Sequence, residues 1–333
     1  MGKGLFKCSS RMSEINYSVA IRTLGKAGKK YQMLLDSLVS QSLPPQQIVV
    51  YIAEEYELPK ETCGKEKYVY VKKGMHAQRA LSYDEIDTEY ILFCDDDVWF
   101  PRNGVEQLFN SLISNNADVV SPDVFPNHER PLKGELMMTL SGRMRARRND
   151  NRYGYKVMAT GGYSYNKHPG NRALLSETNA GPCFLCRKSD FKKIRFEDES
   201  WLDDNTYAIG DDQVMFYKMY LTGLKQITLY GSGIKHLDAG NNLGNKEKEK
   251  KLIEADCFFR TIFWDRFIQR PEKNFFKRIY NIISIKYFFV FSYIVSILKK
   301  EPEFYRIKKR GRNRALQFIK SHRYRSLSNL VCK

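Results

Sequence analysis

The sequence of 333 residues predicts an α/β fold in which a mainly parallel, Rossmann-like sheet is flanked by helices. The first observation is an alternation of short apolar runs, typical of strands, with segments of helical periodicity. The second is that polar side chains follow several of these runs, and ligands of parallel sheets bind beyond the carboxyl ends of the strands. A third is a strongly basic C-terminal region, predicted to be a helical extension.

The strands and helices alternate along the first two thirds of the chain. Tyr31, Leu34, Leu35 and Leu38 fall at i, i+3, i+4 and i+7 and predict the first helix. A second helix is predicted from Gly74 to about Ile86. The predicted strands are Tyr17–Arg22, Gln47–Ile52, Tyr68–Val71, Tyr90–Cys94, Asp118–Ser121, Gly181–Arg187 and Gln226–Leu229.

Three consecutive carboxylates, Asp95, Asp96 and Asp97, directly follow the strand Tyr90–Cys94. Adjacent carboxylates repel one another and lower strand propensity, so stability gives little reason for them. A divalent cation such as Mg²⁺ or Mn²⁺ prefers hard oxygen ligands and often binds one or two carboxylates together with substrate phosphates. The alternative to a metal site is a solvated acidic turn.

Asn103 and Glu106 then predict a capping box that starts the next helix.

A second acidic pair, Asp211 and Asp212, stands before an apolar helical pattern that Gly223 ends. Aspartate is a favoured N-cap and suits the positive end of the helix dipole, so capping explains one of the two. The other is left for catalysis. His236 follows the last predicted strand, and a lone histidine is more often structural than a ligand.

The net charge of +17 is concentrated at one end of the chain. Residues 270–333 hold 17 Lys and Arg against 3 Asp and Glu, whereas the first 269 residues have a balance of only +3. The body is therefore nearly neutral, which argues against nucleic-acid binding.

Seven cysteines without framework spacing fit a reducing compartment. Cys183 and Cys186 have no second pair to complete a zinc site and are expected to be buried thiols.

Residues 122–180 are rich in Arg, Asn, Gly, Tyr and Met and have weak periodicity. A segment of this length inside a compact domain is usually functional or disordered. The tyrosines and glycines of 153–165 favour an ordered lid or an acceptor-binding region.

Five segments, in order and spacing, resemble the inverting family 2 glycosyltransferases of the GT-A fold. They are S-V-A-I-R-T from Ser18, Q-I-V-V-Y-I from Gln47, G-M-H-A-Q-R-A-L from Gly74, I-L-F-C-D-D-D-V-W-F-P from Ile91 and G-D-D-Q-V from Gly210. The fourth resembles the D-x-D strand and turn of the family, and the fifth its E-D helix start. The chain differs from the usual pattern at Glu54, Ala80 and Asp211.

The resemblance implies a nucleotide-sugar donor, foremost a UDP-sugar, and assigns a role to each matching residue. Asp212 would be the general base, with Asp211 beside it. The residues that would bind the nucleotide sugar are Thr23, Glu54, Arg79, Asp95 and Asp96. The residues that would hold Mg²⁺ or Mn²⁺ are Asp97, Asp95 and His236.

The implied reaction is metal-dependent transfer of the sugar to a hydroxyl of a glycan or lipid-linked acceptor, in cell-surface polysaccharide synthesis. The metal would stabilise the leaving nucleoside diphosphate, and a carboxylate would take the proton of the acceptor. The expected division is an N-terminal extension over 1–15, a GT-A domain over 16–245 and a helical basic tail over 246–333. The GT-A domain would consist of a nucleotide-sugar-binding half, 16–121, and an acceptor half, 122–245.

The tail contains a run of twenty largely apolar residues, Ile279–Leu298, between pairs of basic residues. The length could span a bilayer, but Lys286 within it would be costly near the centre. A helix lying on an anionic membrane surface is the favoured interpretation, and packing on the catalytic domain is the alternative. Because the N-terminus lacks the apolar region of a secretory signal, we expect a cytoplasmic protein attached peripherally to the cytoplasmic face of the membrane.

Two other functions are compatible with parts of the sequence. A sugar-nucleotide nucleotidyltransferase also uses aspartates at strand ends, but no Gly-rich basic loop is evident for a triphosphate. A basic nucleic-acid-binding protein is suggested by charge alone, without a recognition motif.

Overall fold

The computed structural model describes residues 15–125, 131–237 and 246–332. The expected N-terminal extension lies outside the described residues except for its last residue. So does the expected boundary at 245 between the GT-A domain and the tail.

An eleven-stranded mixed sheet forms the centre of the molecule, with strand order β3-β2-β1-β4-β11-β6-β12-β10-β8-β9-β7. Its first four strands in this order are parallel, and β11 runs antiparallel to both β4 and β6. A separate two-stranded ribbon pairs β5 with β13. The strands are β1 Tyr17–Thr23, β2 Gln47–Ala53, β3 Glu66–Val71, β4 Tyr90–Asp95, β5 Val98–Trp99, β6 Val119–Pro122, β7 Met144–Arg147, β8 Tyr153–Val157, β9 Tyr163–Asn166, β10 Ala173–Ser176, β11 Cys183–Arg187, β12 Gln226–Leu229 and β13 Lys235–His236.

Helices cover both faces of the sheet and continue into the C-terminal region. They are α1 Lys29–Val39, α2 Gly104–Ser114, α3 Leu132–Leu140, α4 Lys188–Lys193, α5 Asp211–Leu221, α6 Lys246–Phe263, α7 Phe275–Leu298, α8 Pro302–Lys320 and α9 His322–Arg325. A 3₁₀ segment spans Phe196–Asp204, and a π-helical segment, Trp264–Gln269, continues α6. The α/β class and the helical C-terminal extension predicted from the sequence are confirmed.

Two hydrophobic cores lie on opposite faces of the sheet, because successive side chains of a strand alternate between faces. In β1, Val19 and Ile21 pack with α1 and α2, whereas Ala20 packs in the core that contains Trp201 and Met215. The register of β1 against β4 places Arg22 directly opposite Asp95. The carboxyl ends of the central strands therefore bring charged side chains together above a buried sheet.

Residues 131–180 extend this sheet. They form α3 and four short strands, β7 to β10, and thereby add the far edge of the sheet. Tyr155 and Tyr165 are buried in a small core with Tyr230, which explains the high aromatic content of a segment with little periodicity. The ordered structure expected for 153–165 is present, as strands β8 and β9.

The helix predicted from Gly74 to Ile86 does not form. Only a short turn is present, in which the backbone N–H groups of His76 and Ala77 donate to the Asp203 carboxylate. Tyr83 has a left-handed backbone, φ 55°, which interrupts any helix at that position. Tertiary contacts from a distant segment thus overrode the local helical preference.

The predicted capping box of α2 also does not form. Asn103 occupies the N-cap without a side-chain cap, and its Oδ1 accepts from Gln107 Nε2 at 2.9 Å. The Glu106 carboxylate accepts instead from Ser42 Oγ at 2.7 Å. Both side chains are used for other contacts, although the helix begins where the sequence predicts.

The C-terminal helices pack on the body of the molecule that is built around the sheet. Helix α6 is buried along its second half, and Ala315 of α8 and Tyr324 of α9 belong to the larger core. Glu199, which is 0% exposed, accepts hydrogen bonds from Trp201, Lys218 and Arg266 and ties the 3₁₀ segment to the π-helical segment. The tail is therefore a structural part of the molecule from α6 onward.

Helix α7 is the one helix in the described part of the chain that is long and apolar enough to cross a membrane. Ile285, Phe288 and Phe289 on one side are buried, the latter two stacked edge to face. The opposite side is a stripe of exposed apolar residues at helical spacing, termed the α7 face. The α7 face consists of Phe276, Ile279, Tyr280, Ile283, Tyr287, Val290, Ile294, Ile297 and Leu298.

Candidate active site

A cluster of two arginines and two aspartates closes the carboxyl ends of β1 and β4. Arg22 donates to the Asp95 carboxylate through Nε and through Nη2, the latter at 3.1 Å, and to Asp211 Oδ2 through Nη1 at 3.2 Å. Arg79 Nη1 lies 3.1 Å from the same Asp211 oxygen. The turn that replaced the predicted helix therefore delivers Arg79 to the strand ends. The four charges balance one another in a largely buried setting.

The Asp211 carboxylate is held ionised by this cluster. Burial would raise its pKa, but Arg79 and Arg22 outweigh burial and lower it. Burial would lower the pKa of Arg22, but the Asp95 and Asp211 carboxylates outweigh burial and raise it. Asp211 therefore serves as a fixed anion that positions both guanidinium groups.

Asp212, the next residue, has a different environment. Its Oδ2 accepts a hydrogen bond from the Gly181 N–H at 3.1 Å. Burial raises the pKa of Asp212 to about 6, and the neighbouring Asp211 carboxylate acts in the same direction. Two adjacent carboxylates with opposite pKa shifts are an arrangement typical of a divided role, one structural and one that exchanges a proton near neutral pH.

Capping of α5 was the alternative explanation for the pair, but neither aspartate caps the helix. The N-cap is Gly210, with a left-handed φ of 87° and no side-chain cap. A Cβ at Gly210 would lie 2.3 Å from the Phe259 ring, so both the backbone and the packing require glycine there. Helix α5 therefore begins one residue earlier than an Asp N-cap would place it, and both carboxylates stand in its first turn.

Gly181 holds Arg79 and Asp212 close together. A Cβ at this position would lie 2.7 Å from both terminal nitrogens of Arg79 and 2.8 Å from the Asp212 Cβ. The carbonyl of Gly181 accepts from Arg79 Nη2 at 2.9 Å while its N–H donates to Asp212. One backbone unit therefore connects the arginine cluster to the candidate base.

Asp212 lines a cavity of about 340 Å³. Its wall is partly aromatic and partly charged, and it comes mainly from the 122–180 segment, α5 and α6. The lining residues include Phe125, Tyr155, Tyr163, Asn179, Asp212, Gln213, Arg143, Asp256, Phe259 and Arg260. Asp212 thus lines this cavity, whereas its neighbour Asp211 belongs to the strand-end cluster.

Asp96 and Thr23 form a polar pair beside the cluster. Thr23 Oγ1 donates to Asp96 Oδ2 and accepts from the Gly25 N–H at 2.8 Å. Burial and the neighbouring Asp95 and Asp97 carboxylates raise the pKa of Asp96 to about 6, although the hydrogen bond from Thr23 lowers it. Glu54, by contrast, is exposed at the end of β2, where its N–H pairs with the Val71 carbonyl.

Asp97 and His236 face each other across the β5–β13 ribbon. Asp97 Oδ1 lies 3.1 Å from His236 Nε2, and the Leu237 N–H donates to the Asp97 carbonyl at 2.8 Å. The Asp97 side chain is 10% exposed and that of His236 is 17% exposed. Residues 139 positions apart in the sequence are therefore adjacent through a two-residue strand pairing.

The ligand atoms of this pair suit a divalent cation whose remaining coordination positions are left for substrate and water. A carboxylate oxygen and an imidazole nitrogen in contact are two protein ligands, and substrate phosphates and water commonly complete such sites. The nitrogen favours Mn²⁺ over Mg²⁺, which takes hard oxygen ligands. No group of three or more His, Cys, Asp or Glu suited to a metal is present within 15–125, 131–237 and 246–332. Asp95, the other predicted ligand, is bound by Arg22.

The sequence interpretation overlooked two residues that the structure places in the site, Arg22 and Gly181. Arg22 carried a signal, since a charged residue near the end of an otherwise apolar strand is unusual. Gly181 carried none, because its role depends on two side chains distant in sequence. Cys183 and Cys186 are buried free thiols, as predicted.

Residues 35–195 match the family model described as Glycosyl transferase family 2. The match covers β2 to β4 and the aspartates after β4, and it ends before Asp211 and Asp212. No curated protein matches the chain.

Similar solved structures are glycosyltransferases at low identity. GalNAc-T7 with UDP, GalNAc and Mn²⁺ has a TM-score of 0.46 and 12% identity, over 82% of this chain and 54% of that chain. S. aureus TarS 1–349 has a TM-score of 0.44 and 12% identity, over 90% and 92%. A longer S. aureus TarS structure has a TM-score of 0.43 and 12% identity, over 89% and 55%. The present chain thus spans about half the length of GalNAc-T7.

The predicted resemblance to the family 2 glycosyltransferases is confirmed over residues 35–195, and this match supports the predicted enzyme class.

Proposed function

We propose that the chain is a metal-dependent, inverting glycosyltransferase that moves a sugar from a nucleotide-diphosphate sugar to a hydroxyl of a glycan or lipid-linked acceptor. The observation that carries the proposal is the position of Asp212. It directly follows Asp211 of the charged cluster at the strand ends, and it lines a cavity of about 340 Å³. Its pKa of about 6 leaves it mostly ionised at neutral pH and still able to take a proton.

In this mechanism Asp212 is the general base. The Gly181 N–H holds one carboxylate oxygen at 3.1 Å, which fixes the orientation of the group. An acceptor hydroxyl in the cavity would give its proton to Asp212 as its oxygen attacks the anomeric carbon. Attack from the cavity side, opposite the leaving group, inverts the anomeric centre.

The donor would bind on the strand-end side. Arg79 and Arg22, balanced by Asp95 and Asp211, supply guanidinium groups for a nucleotide that carries negative charge. Thr23 and Asp96 offer hydrogen-bonding groups beside them, and exposed Glu54 would reach the nucleoside from β2. A UDP-sugar is the donor class we favour.

A bound cation would be held by Asp97 and His236, with Asp95 near the pyrophosphate. Mg²⁺ or Mn²⁺ at this position would stabilise the negative charge that develops on the leaving nucleoside diphosphate. The chain itself contributes the orientation of the two ligands through the β5–β13 pairing.

We further propose that the protein is cytoplasmic and attaches to the cytoplasmic face of the membrane through the α7 face, in the synthesis of a cell-surface polysaccharide. Phe276 and Ile297 of this face are 78% and 64% exposed. Residues 270–333 carry a balance of +14, which suits an anionic lipid surface. Because the opposite side of α7 is packed on the protein, the helix fits a surface-bound position better than a spanning one.

The proposed reaction is tested by incubating the full chain with a panel of nucleotide sugars and Mn²⁺ and measuring release of nucleoside diphosphate. Transfer to an acceptor or slow hydrolysis both yield this product, so the acceptor need not be known. Pyrophosphate formation from a nucleoside triphosphate and a sugar phosphate would instead indicate a nucleotidyltransferase. If neither product appears, with the fold intact, the proposed function is wrong.

A further inference from the structure

The cavity beside Asp212 contains buried cationic groups that the proposed mechanism does not use. Arg260 lines the cavity from α6 and is 5% exposed. Its Nη2 donates to Asp256 Oδ1 at 3.2 Å, and its guanidinium lies 4.6 Å from the centre of the Phe288 ring. Among residues 15–125, 131–237 and 246–332, its Nε and Nη1 have no hydrogen-bond partner.

An unsatisfied guanidinium inside a protein is costly, because a buried donor without a partner loses its hydration without replacement. Phe288 and Asp256 hold the plane of Arg260 in place and leave two nitrogen atoms for a ligand. Arginine presents parallel donors that match the oxygens of phosphate or carboxylate. The site is therefore pre-organised for an oxyanion.

A second arginine supports this interpretation. Arg143, at the mouth of the same cavity, donates to the other oxygen of Asp256, and its side chain is 40% exposed. Asp256 is thus shared between two arginines, and this group of three carries a net charge of +1. Burial would raise the pKa of Asp256, but Arg143 and Arg260 lower it to about 2, so the aspartate does not lose its charge near neutral pH.

A neutral donor also faces the cavity. Asn179 lines it and is 7% exposed, and its Nδ2 has no hydrogen-bond partner within the same described ranges. Asn179 Oδ1 accepts from Thr228, which fixes the amide. Buried donors with no partner in the described ranges therefore line the same cavity as the carboxyl group of Asp212.

We propose that this cavity takes an anionic acceptor, in which a phosphate ester binds Arg260 and Arg143 while a hydroxyl group lies at Asp212. The assignment of the ligand as the acceptor rests on the proposed function; the oxyanion site itself does not. Two sources share this chemistry, a soluble polyol phosphate and a lipid-linked phosphate presented at the membrane surface.

The test is binding of glycerol 3-phosphate to the full chain saturated with UDP and Mn²⁺, measured by calorimetry with glycerol as the neutral comparison. UDP occupies the donor side, so phosphate binding there is suppressed. The variants are Arg260→Gln, Arg260→Lys and Arg143→Gln. Arg148→Gln is the matched control, since Arg148 is 57% exposed, pairs with Glu135 and does not line the cavity.

We expect wild type and Arg148→Gln to bind glycerol 3-phosphate and not glycerol. Arg143→Gln and Arg260→Gln should weaken binding by about tenfold or more, with Arg260→Lys in between, because charge-assisted hydrogen bonds are lost. Thermal melts identify a variant that fails to fold. Because Arg143 is partly exposed, Arg143→Gln is expected to fold and can test the proposal even if Arg260→Gln does not. Equal binding by Arg143→Gln and wild type, or equal binding of glycerol, would overturn the proposal.

Two further arms distinguish the sources and separate this inference from the proposed function. Vesicles that contain a polyprenyl-phosphate-linked sugar, which carries both the phosphate and hydroxyl groups, are compared with a soluble poly(glycerol phosphate), and the one that competes with glycerol 3-phosphate identifies the source. If neither competes, a phosphate-bearing acceptor is refuted. Arginine-dependent binding without release of nucleoside diphosphate from any donor would leave the oxyanion site standing and refute the transferase mechanism.

Discussion

Replacement of Asp212 by Asn separates its proposed catalytic role from any structural one. Asparagine keeps the shape of the side chain and an oxygen that can accept from the Gly181 N–H. It cannot accept the acceptor proton. We therefore expect kcat to fall by about 10²–10⁴, the usual contribution of a general base. Donor affinity should be nearly unchanged, because Arg22 and Arg79 keep their contacts with Asp211.

The same substitution should not destabilise the protein. Folding raises the pKa of Asp212 from 3.8 to about 6, so the folded state binds this proton more tightly than the unfolded state. The contribution of Asp212 to stability is therefore present below pH 4 and is lost as pH rises to 6. At neutral pH this amounts to a penalty of up to about 3 kcal/mol, since one pKa unit is worth about 1.4 kcal/mol. Asp212→Asn should keep or raise Tm at pH 7.5.

The measurement is kcat for release of nucleoside diphosphate, with thermal melts at pH 5 and pH 7.5. Asp190→Asn is the matched control: Asp190 is also a buried aspartate in the first turn of a helix, but it pairs with Lys193 at 2.6 Å, away from the cavity. That variant should lose stability and keep kcat. In wild type, the rate should fall about tenfold per pH unit below pH 6 as Asp212 becomes protonated. A kcat within threefold of wild type in Asp212→Asn would refute the reasoning.

Three other predictions concern the metal, the membrane and the close approach at Gly181. Chelation should abolish turnover, and Asp97→Asn should weaken Mn²⁺ binding by about tenfold or more with an unchanged melt; full activity in EDTA would exclude a metal-dependent reaction. Serine at Phe276, Ile283 and Ile297 of the α7 face should release the protein from anionic vesicles with Tm preserved, since all three are exposed; continued co-sedimentation would place attachment elsewhere. High salt should weaken vesicle binding of the unmodified chain. Gly181→Ala should lower kcat, because its Cβ would lie 2.7 Å from Arg79 and 2.8 Å from Asp212 and force the two apart; unchanged kinetics would contradict so close an approach.

The structure also decides how membrane attachment can be tested. Removal of the chain from residue 271 onward would take away Ala315 and Tyr324, which belong to the main core. Such a truncation would expose apolar surface and confuse loss of binding with unfolding. Substitutions at Phe276, Ile283 and Ile297 of the α7 face avoid this, because those side chains are exposed.

The order of the strands in residues 16–121 was predictable from the sequence, because burial on both faces of a parallel sheet leaves continuous apolar runs. The positions of Asp95–Asp97, Asp211 and Asp212 followed from the same runs, since each group stands at the end of an element. The helix predicted from Gly74 failed because Asp203, far along the chain, captures its first N–H groups. Local periodicity carries no information on such a contact.

Only the tertiary structure decided how the two aspartates of α5 differ. In sequence they are adjacent and equivalent, and capping was an equally good explanation of either. Arg22 and Arg79 converge on Asp211, whereas Asp212 meets a backbone N–H and a cavity. The opposite pKa shifts arise from these neighbours, which come from β1, a turn and a loop that lie far from α5 in the sequence. Electrostatic environment depends on distance in space, so the resemblance could name Asp212 as the base, but the sequence held no physical reason for the difference between the two residues.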